Sequence, residues 1–320
     1  MEHKEIKVQP VDLKALTDKP TLFTGGHRAC AGCGMTIMAR QVLLAASDNP
    51  VVVGCATGCL EVTTTIYPYT AWNVPFIHSA FENAAATVSG VETAYRALKK
   101  KGKVPADKNI NFITFGGDGG TYDIGLQSLS GAMERGHKML YICYDNGAYM
   151  NTGIQRSGAT PKGAHTTTCP VGSKVPGKPQ RRKDLAAILA AHNIPYVATA
   201  SPHQPRDLMK KVRKALSVDG PSFMLVFSPC RLGWAFPPEQ AMELCREAVG
   251  NGFWPLYEVE YGKWIINEPS KDAALNPIKP WLEKQGRFKH LFQKGNDVLL
   301  DQIQQDINQD WEFLKKRAAM

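Results

Sequence analysis

Residues 112–119, Phe-Ile-Thr-Phe-Gly-Gly-Asp-Gly, decide the fold of this chain. An apolar run typical of a buried strand stops at glycines that enclose one acidic residue, Asp118. A second such run, residues 139–144, ends in Asp145-Asn146-Gly147. Because the carboxyl ends of parallel strands meet at one edge of a sheet, we expect Asp118 and Asn146 to lie close together there.

The residue types at these two strand ends indicate a metal-bridged diphosphate site. A carboxylate and an amide oxygen suit Mg2+ or Ca2+. The glycines allow backbone N–H groups to approach a phosphate, and the following helix points its positive end towards it. A dinucleotide fingerprint is disfavoured, because Tyr122 occupies the position of its third glycine. The alternative is a glycine turn in which Asp118 only caps the helix.

Strand-like and helix-like segments alternate along most of the chain, which predicts an α/β fold. We expect a mainly parallel sheet with helices on both faces. Residues 1–24 are predicted to form an N-terminal arm, 25–248 the binding domain, and 249–320 a C-terminal extension. That extension is expected to carry two amphipathic helices, near 280–284 and 298–317, and to pack on the domain or on a partner subunit. Residues 148–180 contain no predicted element, and loops of that length are usually functional or disordered.

Composition limits the function classes. Of 320 residues, 43% are apolar and 21% charged, as in ordinary globular proteins. The net charge is +9, but the basic clusters at 99–101, 181–183 and 315–317 are short and scattered, which disfavours nucleic-acid binding. No apolar run is long enough to span a membrane, and the N-terminus lacks the pattern of a signal peptide. We therefore expect a cytoplasmic protein that binds neither nucleic acid nor membrane.

Four of the eight cysteines have a spacing that suggests a metal centre. Cys30 and Cys33 form a C-x2-C pair, Cys59 follows 26 residues later, and Cys230 lies after a predicted strand. Three converging loops could supply four thiolates to a [4Fe–4S] cluster or to structural zinc, and spacing alone leaves both open. A thioredoxin-like redox pair is a third interpretation. Cys55 competes with Cys59 as third ligand, but is better explained as a small core residue.

Several motifs together resemble one family. They are Gly26-His27-Arg28-Ala29-Cys30-Ala31-Gly32-Cys33-Gly34, Ala56-Thr57-Gly58-Cys59, Gly117-Asp118-Gly119 with Asn146, Gly119-Gly120-Thr121-Tyr122-Asp123-Ile124-Gly125, Asn151-Thr152-Gly153 and Ser228-Pro229-Cys230. In this order, over about residues 20–240, the chain resembles the beta subunits of the 2-oxoacid:ferredoxin oxidoreductases, with the pyruvate enzymes closest. The resemblance implies the diphosphate-binding half of the thiamine diphosphate-binding fold.

The resemblance also implies roles for individual residues. Mg2+ would be bound by the Asp118 and Asn146 side chains and by the backbone carbonyl of Ala148. Further residues would face thiamine diphosphate: Gly58, Glu82, Gly117, Gly119 and Gly120. Asn151 would face the substrate or the reacting carbon, although a loop cap explains it equally well. The [4Fe–4S] cluster would be held by Cys30, Cys33, Cys59 and Cys230.

The function implied is oxidative decarboxylation of a 2-oxoacid, pyruvate first, with single electrons passing to the [4Fe–4S] cluster and on to ferredoxin, and the acyl group to coenzyme A. Oxalate, an arylglyoxylate or a branched-chain 2-oxoacid are alternative substrates. A cluster-free thiamine diphosphate decarboxylase subunit and a non-catalytic metal scaffold are alternative functions. The implied partners are an alpha subunit with the pyrimidine-binding domain and the activating glutamate, and gamma and ferredoxin-like delta subunits or fused equivalents.

Overall fold

A computed structural model describes residues 5–172, 175–293 and 296–320. Within these ranges one sheet contains eight strands: β1 (Val51–Ala56), β2 (Phe76–Ser79), β3 (Asn111–Gly117), β4 (Leu140–Asp145), β5 (Tyr196–Ala200), β6 (Ser222–Phe227), β7 (Leu256–Glu260) and β8 (Lys263–Glu268). Their order is β2-β1-β3-β4-β6-β5-β7-β8. The first six pair in parallel and the last two antiparallel, so the predicted α/β fold with a mainly parallel sheet is confirmed.

Helices cover both faces of the sheet. They are α1 (Gly34–Ala46), α2 (Cys59–Thr64), α3 (Ala84–Lys100), α4 (Leu126–Glu134), α5 (Leu185–Ala190), α6 (Pro205–Ser217), α7 (Arg231–Trp234), α8 (Ala241–Gly250), α9 (Lys279–Glu283) and α10 (Asp297–Ala319). None of the helices in the described ranges combines the length and apolar character needed to cross a bilayer.

Strand side chains alternate between two apolar cores, as the two-residue repeat of a strand requires. On β4, Leu140, Ile142 and Tyr144 join α1 and α6 in one core, whereas Tyr141 and Cys143 join α3, α4 and α5 in the other. Because both faces are buried, the central strands are apolar at almost every position. This explains why their sequences form continuous apolar runs.

The segment beyond residue 249 contains a feature that sequence analysis missed. Its two predicted helices are present as α9 and α10, but β7 and β8 also add a hairpin to the central sheet. The two hairpin loop residues, Tyr261 and Gly262, both have positive φ, as in a type I′ turn. Tyr261 occupies the first turn position, where Asn or Asp is usual, so the sequence gives only a weak indication of a hairpin. The sheet therefore crosses the predicted boundary at 248/249, and the division into three units stays a prediction.

A buried ion-pair cluster connects β7 of this hairpin to α6 and β5. Lys214 on α6 donates to Glu258 at 2.8 Å and to Glu260 at 2.5 Å, and the Tyr196 hydroxyl donates to Glu258 at 2.6 Å. Burial alone would raise the pKa of Glu258, but Lys211, Lys214 and Tyr196 together hold it below its ordinary value. Burial alone would lower the pKa of Lys214, but the two glutamates raise it above its ordinary value.

We expect Glu258→Gln to lower the free energy of unfolding by about 3 kcal/mol at pH 7, because breaking a buried pair leaves an unmatched charge. Glu258 has a depressed pKa in the folded protein, so its contribution is present above its unfolded pKa and is lost as pH falls through the folded value. The variant should therefore lose less stability than the parent in urea unfolding as the pH falls below about 4.5, the ordinary pKa of a glutamate. Glu312→Gln removes a surface pair and should change stability by less than about 1 kcal/mol. Parallel pH profiles of parent and Glu258→Gln would contradict this account.

Candidate functional site

The ends of β3 and β4 bring Asp118 and Asn146 together. The strands are adjacent and parallel, with Gly117 paired to Tyr144. The backbone N–H of Asn146 donates to Oδ1 of Asp118 at 3.3 Å. Gly116 is required beside this edge, because a Cβ atom there would lie 2.2 Å from the Tyr141 hydroxyl oxygen. The predicted meeting of two strand ends is thus present in the structure.

Three polar groups converge at this edge in a way that fits a cation. The Asn146 amide atom that faces inward lies 2.9 Å from Oδ1 of Asp118 and 2.8 Å from the carbonyl oxygen of Ala148. As a nitrogen, it donates to both oxygens. When the amide turns so that its oxygen faces inward, that oxygen lies 2.9 Å and 2.8 Å from the two other acceptors, close to the separation of about 2.9 Å between neighbouring ligands of octahedral Mg2+. The donor set and its spacing therefore fit Mg2+.

Burial makes Asp118 a group that favours a nearby cation. The side chain is 1% exposed. Burial raises the pKa of Asp118 well above its ordinary value, and the neighbouring carboxylate of Asp145 raises it further. A hydrogen bond from the Ser157 hydroxyl to Oδ2, at 2.5 Å, opposes the rise. A divalent cation would offset the desolvation of the carboxylate, because opposite charge favours the ionised form.

Ser157 is a site residue that sequence analysis missed. It lies 39 residues beyond Asp118 in the long loop, with no motif to mark it. Its backbone N–H donates to the Thr160 hydroxyl at 3.0 Å, and that hydroxyl donates to the Gly147 carbonyl at 2.6 Å. These bonds hold the loop against the end of β4. One oxygen of Asp118 is thereby fixed by Ser157, which leaves the other to face Asn146.

We expect Ser157→Ala to weaken Mn2+ or Mg2+ affinity by about 10- to 100-fold, the usual effect of losing a residue that orients a ligand. Mn2+ binding followed by electron paramagnetic resonance measures this without catalysis. Ser130→Ala removes a hydroxyl that contacts His192 elsewhere, and should leave the affinity unchanged. Equal Mn2+ affinity in parent and Ser157→Ala protein would show that the hydroxyl does not orient Asp118.

A cavity opens directly above Asp118, and most predicted cofactor residues line it. The lining residues are Thr57, Gly58, Cys59, Phe81, Gly117, Asp118, Gly119, Gly120, Tyr144, Asn146, Ala148, Tyr149, Met150, Asn151 and Thr152. Glu82 is not among them: it follows Phe81 with an exposed side chain. The structure thus gathers the predicted residues of the diphosphate site, including Gly58 and Asn151, and leaves Glu82 outside the cavity wall.

The glycines of this cavity are positions of close approach. A Cβ atom on Gly119 would lie 2.4 Å from the Tyr149 ring, and one on Gly58 would lie 2.7 Å from the Tyr144 hydroxyl oxygen. That hydroxyl is buried and has no hydrogen-bond partner among the described residues. Side chains at these two positions would collide with Tyr149 and Tyr144, so the close packing of the cavity wall requires glycine there. The unpaired hydroxyl suits a polar ligand such as a diphosphate.

The four predicted cysteine ligands lie on loops that meet at the same end of the sheet. The backbone N–H of Gly34, next to Cys33, faces the carbonyl of Pro229, next to Cys230, at 3.4 Å. The backbone N–H of Cys33 donates to the carbonyl of Cys30 at 3.1 Å. Burial, followed by the neighbouring thiols of Cys230, Cys33 and Cys30, raises the pKa of Cys59 to about 12. The three loops are therefore neighbours.

These thiols do not meet at one point. Within the described ranges, no three His, Cys, Asp or Glu side chains form a group that could hold a single metal ion. Cys55 is fully buried in β1, and its sulfur lies 3.5 Å from the carbonyl of Ala56. A [4Fe–4S] cluster takes four cysteine ligands, so the assignment of Cys30, Cys33, Cys59 and Cys230 to one cluster stays a prediction. Cys59 also lines the cavity above Asp118, so the cysteine group and the diphosphate site share a wall.

A second set of polar residues forms hydrogen bonds to Asp145, the last residue of β4. Asp145 accepts hydrogen bonds from the Tyr122 hydroxyl at 2.6 Å and from Arg182 at 2.5 Å, and the Gly147 backbone N–H donates to its other oxygen at 3.1 Å. Arg182 also lies over the Trp254 ring, 4.6 Å from its centroid. Sequence analysis grouped Arg182 with the basic cluster at 181–183, but in the structure its guanidinium bonds to the Asp145 carboxylate.

The chain is similar to known thiamine diphosphate enzymes in sequence and in fold. Residues 53–226 match the family model for the thiamine pyrophosphate enzyme, C-terminal TPP binding domain, where thiamine pyrophosphate is another name for thiamine diphosphate. Among solved structures, 2-oxoglutarate:ferredoxin oxidoreductase from Magnetococcus marinus aligns with a TM-score of 0.54 at 20% identity. The alignment covers 71% of this chain and 80% of that one, and it supports a common fold.

Curated relatives match almost the whole chain. Pyruvate synthase subunit PorB of Thermotoga maritima is 53% identical over 95% of this chain and 96% of its own length. The subunit of the same name from Methanocaldococcus jannaschii is 54% identical over 91% and 96%. Ketoisovalerate oxidoreductase subunit VorB of Pyrococcus abyssi is 44% identical over 93% and 94%. With these relatives and a family model that spans more than half of its residues, the chain belongs to the beta subunits of the 2-oxoacid:ferredoxin oxidoreductases, the thiamine diphosphate-binding subunits of multi-subunit oxidoreductases.

Proposed function

We propose that this subunit carries out oxidative decarboxylation of pyruvate, with thiamine diphosphate and Mg2+ at the β3–β4 edge and a [4Fe–4S] cluster on four cysteines. One observation carries the proposal: Cys59 and Asp118 line the same cavity. A decarboxylase needs only the diphosphate site, whereas an oxidoreductase also needs an electron acceptor close to it. Because the proposed diphosphate site and the proposed cluster site share a cavity wall, the geometry supports an oxidoreductase over a simple decarboxylase.

The residues of this chain have distinct tasks in the proposal. Asp118, Asn146 and the Ala148 carbonyl bind Mg2+, and the glycines at 117, 119 and 120 leave room for the diphosphate. Bound there, thiamine diphosphate would supply the carbanion chemistry of 2-oxoacid decarboxylation, and a cluster on the four cysteines would supply a one-electron acceptor. Asn151, which lines the cavity mouth, is proposed to face the substrate. Cys30, Cys33, Cys59 and Cys230 hold the cluster, with ferredoxin as final acceptor and coenzyme A as acyl acceptor.

Partner subunits complete the proposed enzyme. The glutamate that activates thiamine diphosphate through its pyrimidine ring is proposed to come from an alpha subunit. Gamma and ferredoxin-like delta subunits, or fused equivalents, would carry further electron transfer. We also propose a cytoplasmic location, in line with eight cysteines that form no disulfide with one another. Pyruvate is favoured over a branched-chain 2-oxoacid because the PorB subunits of Thermotoga maritima and Methanocaldococcus jannaschii, at 53% and 54% identity, are more similar than VorB of Pyrococcus abyssi, at 44%.

Purification without oxygen, together with the partner subunits, tests the proposal. We expect brown protein that contains iron, acid-labile sulfide, magnesium and thiamine diphosphate, and that reduces ferredoxin with pyruvate and coenzyme A. Ketoisovalerate, offered separately, tests the second substrate. Colourless protein without iron or sulfide that still binds thiamine diphosphate would instead indicate a cluster-free decarboxylase subunit. Protein that binds neither cofactor would overturn the proposal.

A further inference from the structure

Arg287 is a buried cation without a matching carboxylate. It lies on a 3-10 helix, Gly286–Phe292, in the C-terminal segment, and is 5% exposed. Its Nε–H donates to the Gln285 side chain at 3.0 Å. Its Nη2 has no hydrogen-bond partner, and no carboxylate lies within ion-pair distance of it, among the residues that the structure describes. Burying an unpaired charge costs free energy, so we expect a negatively charged group to lie near this guanidinium in the working protein.

Aromatic rings fix the guanidinium in place. It lies over the Trp234 ring, 3.8 Å from the centroid, and 4.9 Å from the centroid of Phe288. Trp234 belongs to α7, which begins directly after Cys230, and its indole N–H donates to the carbonyl of Asn146 at 2.7 Å. The same ring therefore contacts Arg287 on its face and the proposed metal ligand at its edge. Arg287 is held at the junction of the cysteine loop and the β4 end.

The charged groups around Arg287 are few. A Cβ atom on Gly147 would lie 2.9 Å from its Nη1, which places the guanidinium against the loop after Asn146. Asp145, Cys230, Arg182 and Asp118 are among the ionisable groups that influence the pKa of Arg287. Asp145 is already bonded to Arg182 and Tyr122, and Asp118 faces the proposed Mg2+ site. Trp234, on whose ring Arg287 stacks, donates its backbone N–H to the carbonyl of Cys230 at 2.9 Å, so the guanidinium lies beside the cysteine loop.

We infer that Arg287 is a positioning residue for electron transfer, whose charge stabilises the reduced form of the iron–sulfur cluster held by Cys230. This inference rests on the proposed function. Four thiolates make such a cluster anionic, and reduction adds one more negative charge. A fixed positive charge in a dry, low-dielectric surrounding favours that added charge more strongly than it would in water. Cluster potentials respond to local charge, so the C-terminal segment would contribute directly to the electron acceptor.

Arg287→Gln and Arg287→Lys, compared in the assembled enzyme, test this role. The readout is a redox titration followed by electron paramagnetic resonance, restricted to the signal that disappears in Cys59→Ala enzyme. We expect Arg287→Gln to make reduction about tenfold less favourable, which is 59 mV for a one-electron couple. Arg287→Lys should keep the parent potential, although its melting temperature falls because the stacking on Trp234 is lost. Lys211→Met removes a buried cation bonded to Asp207, and should leave the potential unchanged.

Other outcomes would overturn the inference. Equal potentials in parent and Arg287→Gln enzyme, or equal shifts in the Gln and Lys variants, would mean that Arg287 only packs against Trp234. If Arg287→Gln does not assemble, Arg287→His replaces it, because its charge titrates between pH 5 and 8. Its potential should then fall more steeply with pH than that of the parent, and parallel profiles would refute the role. Parent enzyme without iron and sulfide would refute the proposed function instead.

Discussion

Asp118→Asn is expected to abolish Mg2+-dependent binding of thiamine diphosphate, with a loss of affinity of more than about 100-fold. Removing a residue that only orients a metal ligand costs about 10- to 100-fold, and Asp118 is proposed as a ligand itself. The amide cannot replace the charge that attracts Mg2+, although it keeps the shape of the side chain. Quenching of intrinsic fluorescence by thiamine diphosphate, with Mg2+ varied, measures the loss without any catalytic assay.

The stability of the cofactor-free protein separates lost binding from lost folding. Because burial disfavours the charged form of Asp118, a neutral amide removes that cost, and the melting temperature of the variant should not fall. Asp48→Asn, which breaks a surface pair with Lys19, should keep both stability and cofactor affinity. Normal thiamine diphosphate affinity in Asp118→Asn protein would remove the diphosphate site from this edge of the sheet.

Cys59→Ala is expected to eliminate one cluster, and with it electron transfer from the 2-oxoacid to ferredoxin. The change removes the proposed thiolate ligand on α2, and a [4Fe–4S] cluster takes four such ligands. Iron and acid-labile sulfide per assembled enzyme should both fall by the content of one cluster. Binding of thiamine diphosphate should persist, because the proposed Mg2+ ligands are unchanged.

Cys55→Ala is the matched control, since Cys55 lies only four residues before Cys59. It is fully buried in β1, away from the loop surface. We expect full iron content in this variant and a loss of stability on the order of 1 kcal/mol, typical of a single core substitution. If Cys55→Ala loses iron and Cys59→Ala keeps it, the third ligand has been assigned to the wrong residue. If both keep their iron, the centre lies elsewhere in the assembly.

Most of the sheet and of the diphosphate site could be predicted from the sequence because their signals are local. An apolar run that stops at Gly117-Asp118-Gly119 marks a strand end by itself, and the run ending at Asn146 marks the next. The rule that parallel strands present their carboxyl ends at one edge then brings the two together. The C-terminal helices α9 and α10 were likewise predicted, because an amphipathic pattern is local to its own segment.

Only the tertiary structure revealed the residues that act on the site from a distance in the chain. Ser157 bonds to Asp118 from an irregular loop, Arg182 bonds to Asp145 across 37 residues, and Arg287 in the C-terminal segment stacks on Trp234, close after Cys230 in the chain. None of these positions has a periodicity or a motif, because a side chain that makes one long-range contact leaves no repeating pattern. The sequence by itself determined which groups end the strands, whereas packing determined which charges surround them.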